Sequence, residues 1–467
     1  MSGIGGSVRG MTCVKMAEQM CYVGQYISQK ACLFGAPFPV VGTEGTKTYV
    51  GVCDGEIVNR DALHKELQAK GFRFGDRSSA VVALHAYMAW GAACVERFVG
   101  TFALAVWDGE QLFLARDRLG YKPLYYYASA QGLVFASHMK TMLRHNEIKP
   151  TLTRDGIEAL FLLAPARAPG YGILKGINEL KAGHYILYKG ETPPEMHCYW
   201  QIKAFPHRLD AKQSAHTLRG LLADVTPTRV KETEEFAPHF FGTDELAEAL
   251  ESATLAIGMP NEGIIDAATL LLFRQMRGKG HEVRYDEGAS ILFGEALHGI
   301  HASHREPFLR EEFQTATTAD AYMRAEAPHL SDDSEDDIRV RHAFHTNLQW
   351  HLPATLRRIE GMAQTTGLTV HMPYLDAALV QFMYNVPWAL KQSLPEVLLP
   401  RKRSPFPSTQ NPAFLKKMQH MLQALNDAPV FELVDRERTL QEADAPTLAY
   451  FLQLNYWLEH FTIDIYV

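Results

Sequence analysis

No two of the six cysteines stand in a CxxC pair; Cys13, Cys21, Cys32, Cys53, Cys94 and Cys198 are scattered singly. That spacing argues against a zinc ribbon, a redox motif or a secreted disulfide framework, and it fits a reducing cytosol. No apolar run reaches the ~18 residues that span a bilayer. The opening MSGIGGSVRG also lacks the apolar stretch of a signal peptide. A cytoplasmic protein without membrane contact is the expectation. Charge of one sign is scarce too: 46 Lys and Arg against 53 Asp and Glu leave −7, which excludes a general electrostatic grip on nucleic acid. There is no internal repeat, and 34 Gly with 24 Pro are too few for a collagenous or disordered chain. At about 150 residues per domain, the 467 residues have room for two or three domains.

What is present divides near residue 204. Before it, segments such as GTFALAVWD, QLFLARD, KPLYYYA and HYILYK are β-branched and aromatic, with Gly, Asp and Asn turn signals between them. Two helices interrupt these strands: one from an Asn59 cap to Gly71 that buries Leu63 and Leu67, the other from about Ser79 to Trp90. After it, helical periodicity dominates, over Ala215 to Ala223, Asp244 to Ile257 with Thr243 as cap, Ala267 to Arg277, His342 to Met362, and Leu448 to Phe461. The boundary falls in a linker from Gln201 to Leu209, giving domains 1–203 and 210–467.

Ordered strings along the chain resemble the glutamine-dependent asparagine synthetases. They include DGEIVN at 54–59, GTFALAVWD at 100–108, LFLARDRLGYKPLYYY at 112–127 and FASHMK at 135–140. APARAPGYGILKGINELKAGHY at 164–185, Tyr199–Trp200, EGASILFGE, MPYLDAALVQFMYNVPWALK and RKRSPFPSTQNP continue the series. The resemblance implies an α+β Ntn-hydrolase αββα sandwich followed by a helical α/β synthetase domain of the adenine-nucleotide-hydrolase type. It also implies ATP-dependent amide transfer from glutamine to aspartate.

Residue by residue, the first reaction is poorly supplied. The family's terminal nucleophile is a cysteine, whereas Ser2 stands here, and a hydroxyl is the weaker nucleophile near neutral pH. The family's oxyanion hole is an Asn side chain and the next Gly amide; here the pair is Asp54 and Gly55. Loss of one oxyanion donor typically costs roughly 10²–10³ in rate, and an ionised Asp54 adds a repulsive charge. The string that grips the substrate's amine falls at Arg77-Ser78-Ser79-Ala80, so Ser78 and Ala80 mark a substrate-binding position without its carboxylate. The arginine motif for the substrate carboxylate has no counterpart between Gln19 and Val41.

The second reaction needs a cradle for pyrophosphate, supplied in the family by a glycine-rich loop between a strand and a helix. HTLRGLLADV at 216–225 would lead into it, but TPTRVKETEEF follows instead. The synthetase domain is thus expected to be truncated. In the next loop Glu287 keeps the place of a catalytic glutamate, while Ser290 stands at the Mg²⁺-binding aspartate and Ile291 at its acidic neighbour. Arg403 stands where the family has a lysine that steadies transition-state charge. From Glu360, the stretch EGMAQTTGLTVHMPY has Gly361, Thr369 and His371 where the family has charged residues.

ATP and Mg²⁺ are therefore family cofactors whose site is expected to be lost, and none is expected to bind here. His298, His301 and His304, with His342 and His345, have helical spacing but no completing carboxylate, so no metal site is assigned. The acidic run from Ser331 to Asp337 reads as a solvated loop or helix start. The expectation is a family member impaired in both reactions. An alternative is a pseudoenzyme that partners an active paralogue or itself as a homodimer; another is a residual ligase for a different substrate.

Overall fold

Alternation with period two fixes the first layers. In the strand GTFALAVW, Phe102, Leu104 and Val106 join one core cluster, and Ala103, Ala105 and Trp107 join another on the opposite face. A strand buried on both faces must lie inside a layered structure. The computed structural model describes residues 3–9, 24–36, 38–190, 193–225, 241–285, 288, 292, 305–314, 327–394 and 412–466. Two six-stranded antiparallel sheets form there. One runs β11-β8-β9-β1-β3-β2 and the other β13-β12-β7-β6-β5-β4. The strands of the first are β1 (Gly3–Val8), β2 (Gly24–Ile27), β3 (Ala31–Ala36), β8 (Tyr125–Ser129), β9 (Gly132–Ala136) and β11 (Ile177–Glu179). Those of the second are β4 (Val40–Glu44), β5 (Lys47–Ile57), β6 (Gly100–Trp107), β7 (Leu112–Arg116), β12 (His184–Tyr188) and β13 (Glu195–Cys198).

One core fills the space between the sheets, with Ile4, Leu33, Val52, Leu114 and Phe135 among its members. A second core joins β5 and β6 to helices α1 (Arg60–Ala69) and α2 (Ser79–Trp90). Each Leu, Val or Phe fully buried this way contributes roughly 1.5–3 kcal/mol. Beside the first sheet, the described residues place the short helix Met139–Met142, which packs on β8 and β9. Asn59 precedes α1 as expected but does not cap it. Its side chain spans instead to Arg97 O (2.9 Å) and Val99 N (3.0 Å), tying α1 to the start of β6.

Cysteine spacing misled in one respect. Cys32 on β3 is disulfide-bonded, with its partner outside the described residues, whereas Cys53, Cys94 and Cys198 are free thiols. Sequence neighbours alone give no warning of such a bond, because a sheet brings distant residues together; a reducing cytosol would not favour it.

The chain forms two compact units, and each is discontinuous. The first comprises Met1–Thr153, Pro169–Gln201 and Phe461–Val467, and the second Arg154–Ala168 and Ile202–His460. A division at 203–210 does not take in the excursion of Arg154–Ala168 or the return of Phe461–Val467. In that return, β16 (Asp464–Ile465) pairs in parallel with β10 (Thr151–Leu152).

Helices dominate the second unit: α3 (Ala211–Val225), α4 (Thr243–Ile257), α5 (Ile264–Arg277), α6 (Glu335–Thr346), α7 (Leu352–Thr366), α8 (Ala377–Asn385), α9 (Trp388–Ser393), α10 (Pro412–Gln423) and α11 (Ala445–His460). The last is buried on nearly every face, so it is the central rod that α4, α5 and α10 pack around. Gly242, not Thr243, precedes α4, and Glu245 Oε2 reaches back to its N–H at 2.7 Å. The expected single stretch from His342 to Met362 is two helices joined by a π-turn at Asn347–His351. The acidic run opens α6: Ser334 Oγ accepts from Asp337 N at 3.1 Å. Among the described residues, the sheet of this unit is a parallel pair, β14 (Glu282–Arg284) beside β15 (Thr369–His371).

Candidate functional site

Asp54 and Gly55 lie near the end of β5, opposite Ala103 and Phe102 of β6. Gly55 has φ +108°, and a Cβ there would come 2.1 Å from Thr101 O, so glycine is required by the close strand approach. Asp54 is only 1 % exposed. A carboxylate buried that deeply needs a cation, and Lys122 Nζ stands 3.5 Å from Oδ1. Its neighbour Cys53 points into the helix-side core, where burial, with Asp54 second, pushes the thiol up to about 12. That thiol is inert as a nucleophile.

Lys122 is held by the loop that the string ARDRLGYKP encodes. Asp117 is buried and gathers the backbone N–H groups of Leu119, Tyr121, Lys122 and Phe102 at 2.9 to 3.3 Å. Burial raises its pKa, and those donors oppose the rise. Arg116 pairs with Glu179 at 2.8 Å and donates to the carbonyls of Lys122, Leu180 and Gly120. Tyr199 of the Tyr–Trp pair closes the loop by donating to Arg116 O at 2.7 Å. The strongest string of the first half is thus a buried knot of charge and backbone, and what it delivers towards β5 is the Lys122 ammonium.

Ser78 and Ala80 come near this strand end through their neighbour, since Ser79 Oγ accepts from Ile57 N at 2.9 Å. Ser78 itself turns to Asp76, and Ala80 is buried in the helix-side core. Four positions expected to serve one site, Asp54, Gly55, Ser78 and Ala80, are therefore gathered at one end of β5 and α2, with Ser2 outside the described residues. Lys122 was not among the expected site residues. Nothing in its spacing reveals a partner 68 residues earlier.

In the second unit Glu287, Ser290, Ile291 and Arg403 lie outside the described residues, as do His298, His301 and His304. His342 and His345 lie on α6. Among the described residues, no group of three or more His, Cys, Asp or Glu side chains could hold a metal ion. A polar knot is present where α5 begins. Asp266, fully buried, accepts from Asn261 Nδ2 (3.0 Å), Glu262 N (2.6 Å) and Gln453 Nε2 (3.0 Å). Gln453 Oε1 in turn accepts from Gly263 N at 2.8 Å, and Glu262 pairs with Arg358 of α7. Burial raises the Asp266 carboxyl to about 7 and lowers Arg358 to about 10. At Gly361 on α7, an added Cβ would meet Ala256 O at 2.8 Å and Ile257 Cα at 3.0 Å. Where the family resemblance places an arginine, the backbone of α4 fills the space.

Residues 38–200 match the glutamine amidotransferase domain family and residues 237–459 match the asparagine synthase family. Asparagine synthetase (glutamine-hydrolyzing) 3 of Bacillus subtilis is 26 % identical over 555 residues, covering 92 % of this chain and 90 % of that protein. A putative asparagine synthetase 2 of Methanocaldococcus jannaschii is 28 % identical over 241 residues, 50 % of this chain and 44 % of the relative. A putative asparagine synthetase of Mycobacterium tuberculosis is 38 % identical over 164 residues, 34 % of this chain and 23 % of the relative.

Proposed function

Because the chain belongs to the family in which a glutamine amidotransferase domain precedes an asparagine synthase domain, we propose that it is a member impaired in both reactions. Its role is that of a partner or regulator of an active synthetase, a second copy of this fold being the natural contact. The observation that carries this reading is Asp54, buried at the position that the resemblance gives to an oxyanion donor, with Lys122 Nζ 3.5 Å from its carboxylate. The match to the Bacillus relative points the same way. It extends over 555 positions, yet 92 % of 467 residues is about 430, so about 125 aligned positions face no residue here.

The positions that the resemblance gives to ATP and Mg²⁺, Glu287, Ser290, Ile291 and Arg403, lie outside the described residues. No reaction step is drawn through these groups. In the first unit, Asp54 replaces the oxyanion donor and is occupied by Lys122, while Ala80 offers no group for an amine. Donors aimed at a developing oxyanion act as a unit with the nucleophile, so the loss of several leaves little.

Two assays on the purified chain test this: glutamine conversion to glutamate, and pyrophosphate release from ATP with aspartate. Both are expected at background. Glutaminase activity that vanishes in Ser2→Ala would overturn the first half of the proposal, and aspartate-dependent pyrophosphate the second; pyrophosphate with another amine acceptor would instead establish a ligase of changed substrate.

A further inference from the structure

β4 is the outer strand of the second sheet. Its ladder with β5 closes on the two-residue turn Gly45–Thr46, so Glu44 with Lys47, Gly42 with Tyr49 and Val40 with Gly51 are the hydrogen-bonded pairs. The N–H and C=O groups of Val41 and Thr43 therefore point away from β5, and among the described residues no hydrogen bond reaches them. Pro39 has no N–H to add at the next outward position, and Gly45, at φ +60°, turns the chain at the other end. The open edge is thus four groups on two residues, with Gly42 between them.

The side of the sandwich that β4 borders is also apolar. Val41, Phe38 just before β4, and Ile27 on β2, the outer strand of the facing sheet, are each more than half exposed. Phe38 lies against Gly24 of β2, which places both outer strands on one side. Soluble chains usually guard such an edge with charge. Glu195 and His197 do so on β13, the opposite edge of the same sheet, whereas the charge on β4 is Glu44, at its turn end.

We propose that β4 is an interface with a second copy of this chain, the two β4 strands pairing antiparallel about a two-fold axis at Gly42. In that register Val41 of each copy faces Thr43 of the other, and each facing pair exchanges two N–H···O=C bonds, so every outward group is used. Setting Val41 on Val41, or Thr43 on Thr43, would use only half of them. Gly42 meets Gly42 on the axis, at a non-hydrogen-bonded position where cross-strand side chains sit closest. Glu44 falls opposite Val40, so no like charges face each other, and Val41 with Thr43 is a β-branched cross-strand pair. Two six-stranded sheets join edge to edge, and the exposed Phe38, Val41 and Ile27 lie along the seam. This contact gives the partner role proposed above its surface, resting on that reading for a second copy as partner and not on the loss of either reaction.

Sedimentation equilibrium of the full chain at micromolar concentrations is expected to show monomer and dimer in exchange. Hydrogen exchange in a peptide covering residues 40–44 should slow as the dimer fills. Thr43→Pro removes an outward N–H that β5 does not use, so the hairpin survives. The dimer loses two bonds in that variant and should weaken by roughly tenfold or more. Val41→Lys places a solvated charge on the edge and should weaken it likewise, while Val58→Lys, at an exposed apolar residue outside β4, should leave the dimer unchanged. A chain that stays monomeric, one that forms open-ended aggregates in place of a dimer, or a dimer as tight in Thr43→Pro and Val41→Lys as in the unaltered chain overturns the proposal. The glutaminase and pyrophosphate assays are read separately: an inactive monomer removes this contact alone, and an active dimer removes the impairment alone.

Discussion

Asp266 is a carboxyl held by three N–H donors, with no cation on it in direct contact. Folding raises it from 3.8 to about 7, so the folded chain keeps a proton that the unfolded chain has released. Stability from this group is complete below about pH 4 and is lost as pH rises to about 7, a loss of a few kcal/mol at most. Asp266→Asn removes the charge and keeps the shape. Its amide finds an acceptor once Asn261 turns over, because Asn261 Oδ1 is buried and has no partner. Thermal midpoints measured from pH 4.5 to 8 should fall for the unaltered chain and stay flatter for the variant; parallel curves would remove Asp266 as the cause. Lys122 and Asp54 pose the opposite case. Lys122→Met takes a cation from a buried carboxylate and should destabilise by about 3 kcal/mol, whereas adding Asp54→Asn should recover most of it in urea unfolding. A double variant no more stable than Lys122→Met would show that the ammonium does not serve Asp54. This pairing was invisible in the sequence, which names Asp54 as an altered oxyanion position but carries no sign of the ion that occupies it.

Elements were legible where one physical rule dominates. The helix Ser79–Trp90 follows from an apolar run ended by Gly91, and β6 from two-sided alternation. Ends were less legible wherever a tertiary bond replaced the local cap. Asn59 spends its side chain on β6, and α5 begins at Ile264, ahead of the periodic residues, because Asp266 and Gln453 hold the preceding turn. The join at Asn347–His351 leaves the apolar period nearly unbroken, so it read as one helix. The α7–α4 contact shows what a lost charge can become. Gly361→Ala would drive a Cβ into the backbone of α4 at Ala256 and Ile257, neither of which is a flexible side-chain end. We expect a loss of about 1–3 kcal/mol, read as a lower urea midpoint at unchanged slope. A neutral or stabilising result, as alanine's helix propensity alone would give, would mean the two helices do not touch there.

At the scale of the whole chain, a boundary drawn from a change in periodicity assumes that each body is one continuous stretch, and the two compact units are interleaved. Arg154–Ala168 belongs to the second unit although it is followed by 33 residues of the first, Pro169–Gln201. Its residues are structural in that unit. Leu162, Leu163 and Ala166 cluster with Trp350, and Phe161 lies 5.8 Å from Phe451. The Tyr450 hydroxyl donates to Leu160 O at 2.9 Å, and Arg305 reaches Ala164 O at 2.8 Å. A fragment beginning at residue 204 therefore lacks a wedge of its own core and leaves α11, its central rod, with an exposed apolar side. Removing several buried Leu and Phe side chains at roughly 1.5–3 kcal/mol each is comparable to the 5–15 kcal/mol that holds a domain folded. The fragment 204–467 should keep helical far-ultraviolet dichroism, lose near-ultraviolet signal and bind a hydrophobic dye. Supplying 154–168 as a peptide should restore near-ultraviolet signal. A fragment that unfolds cooperatively by itself, with native near-ultraviolet dichroism, would mean that the second unit is complete without the excursion and that the simple division near residue 204 is the physical one.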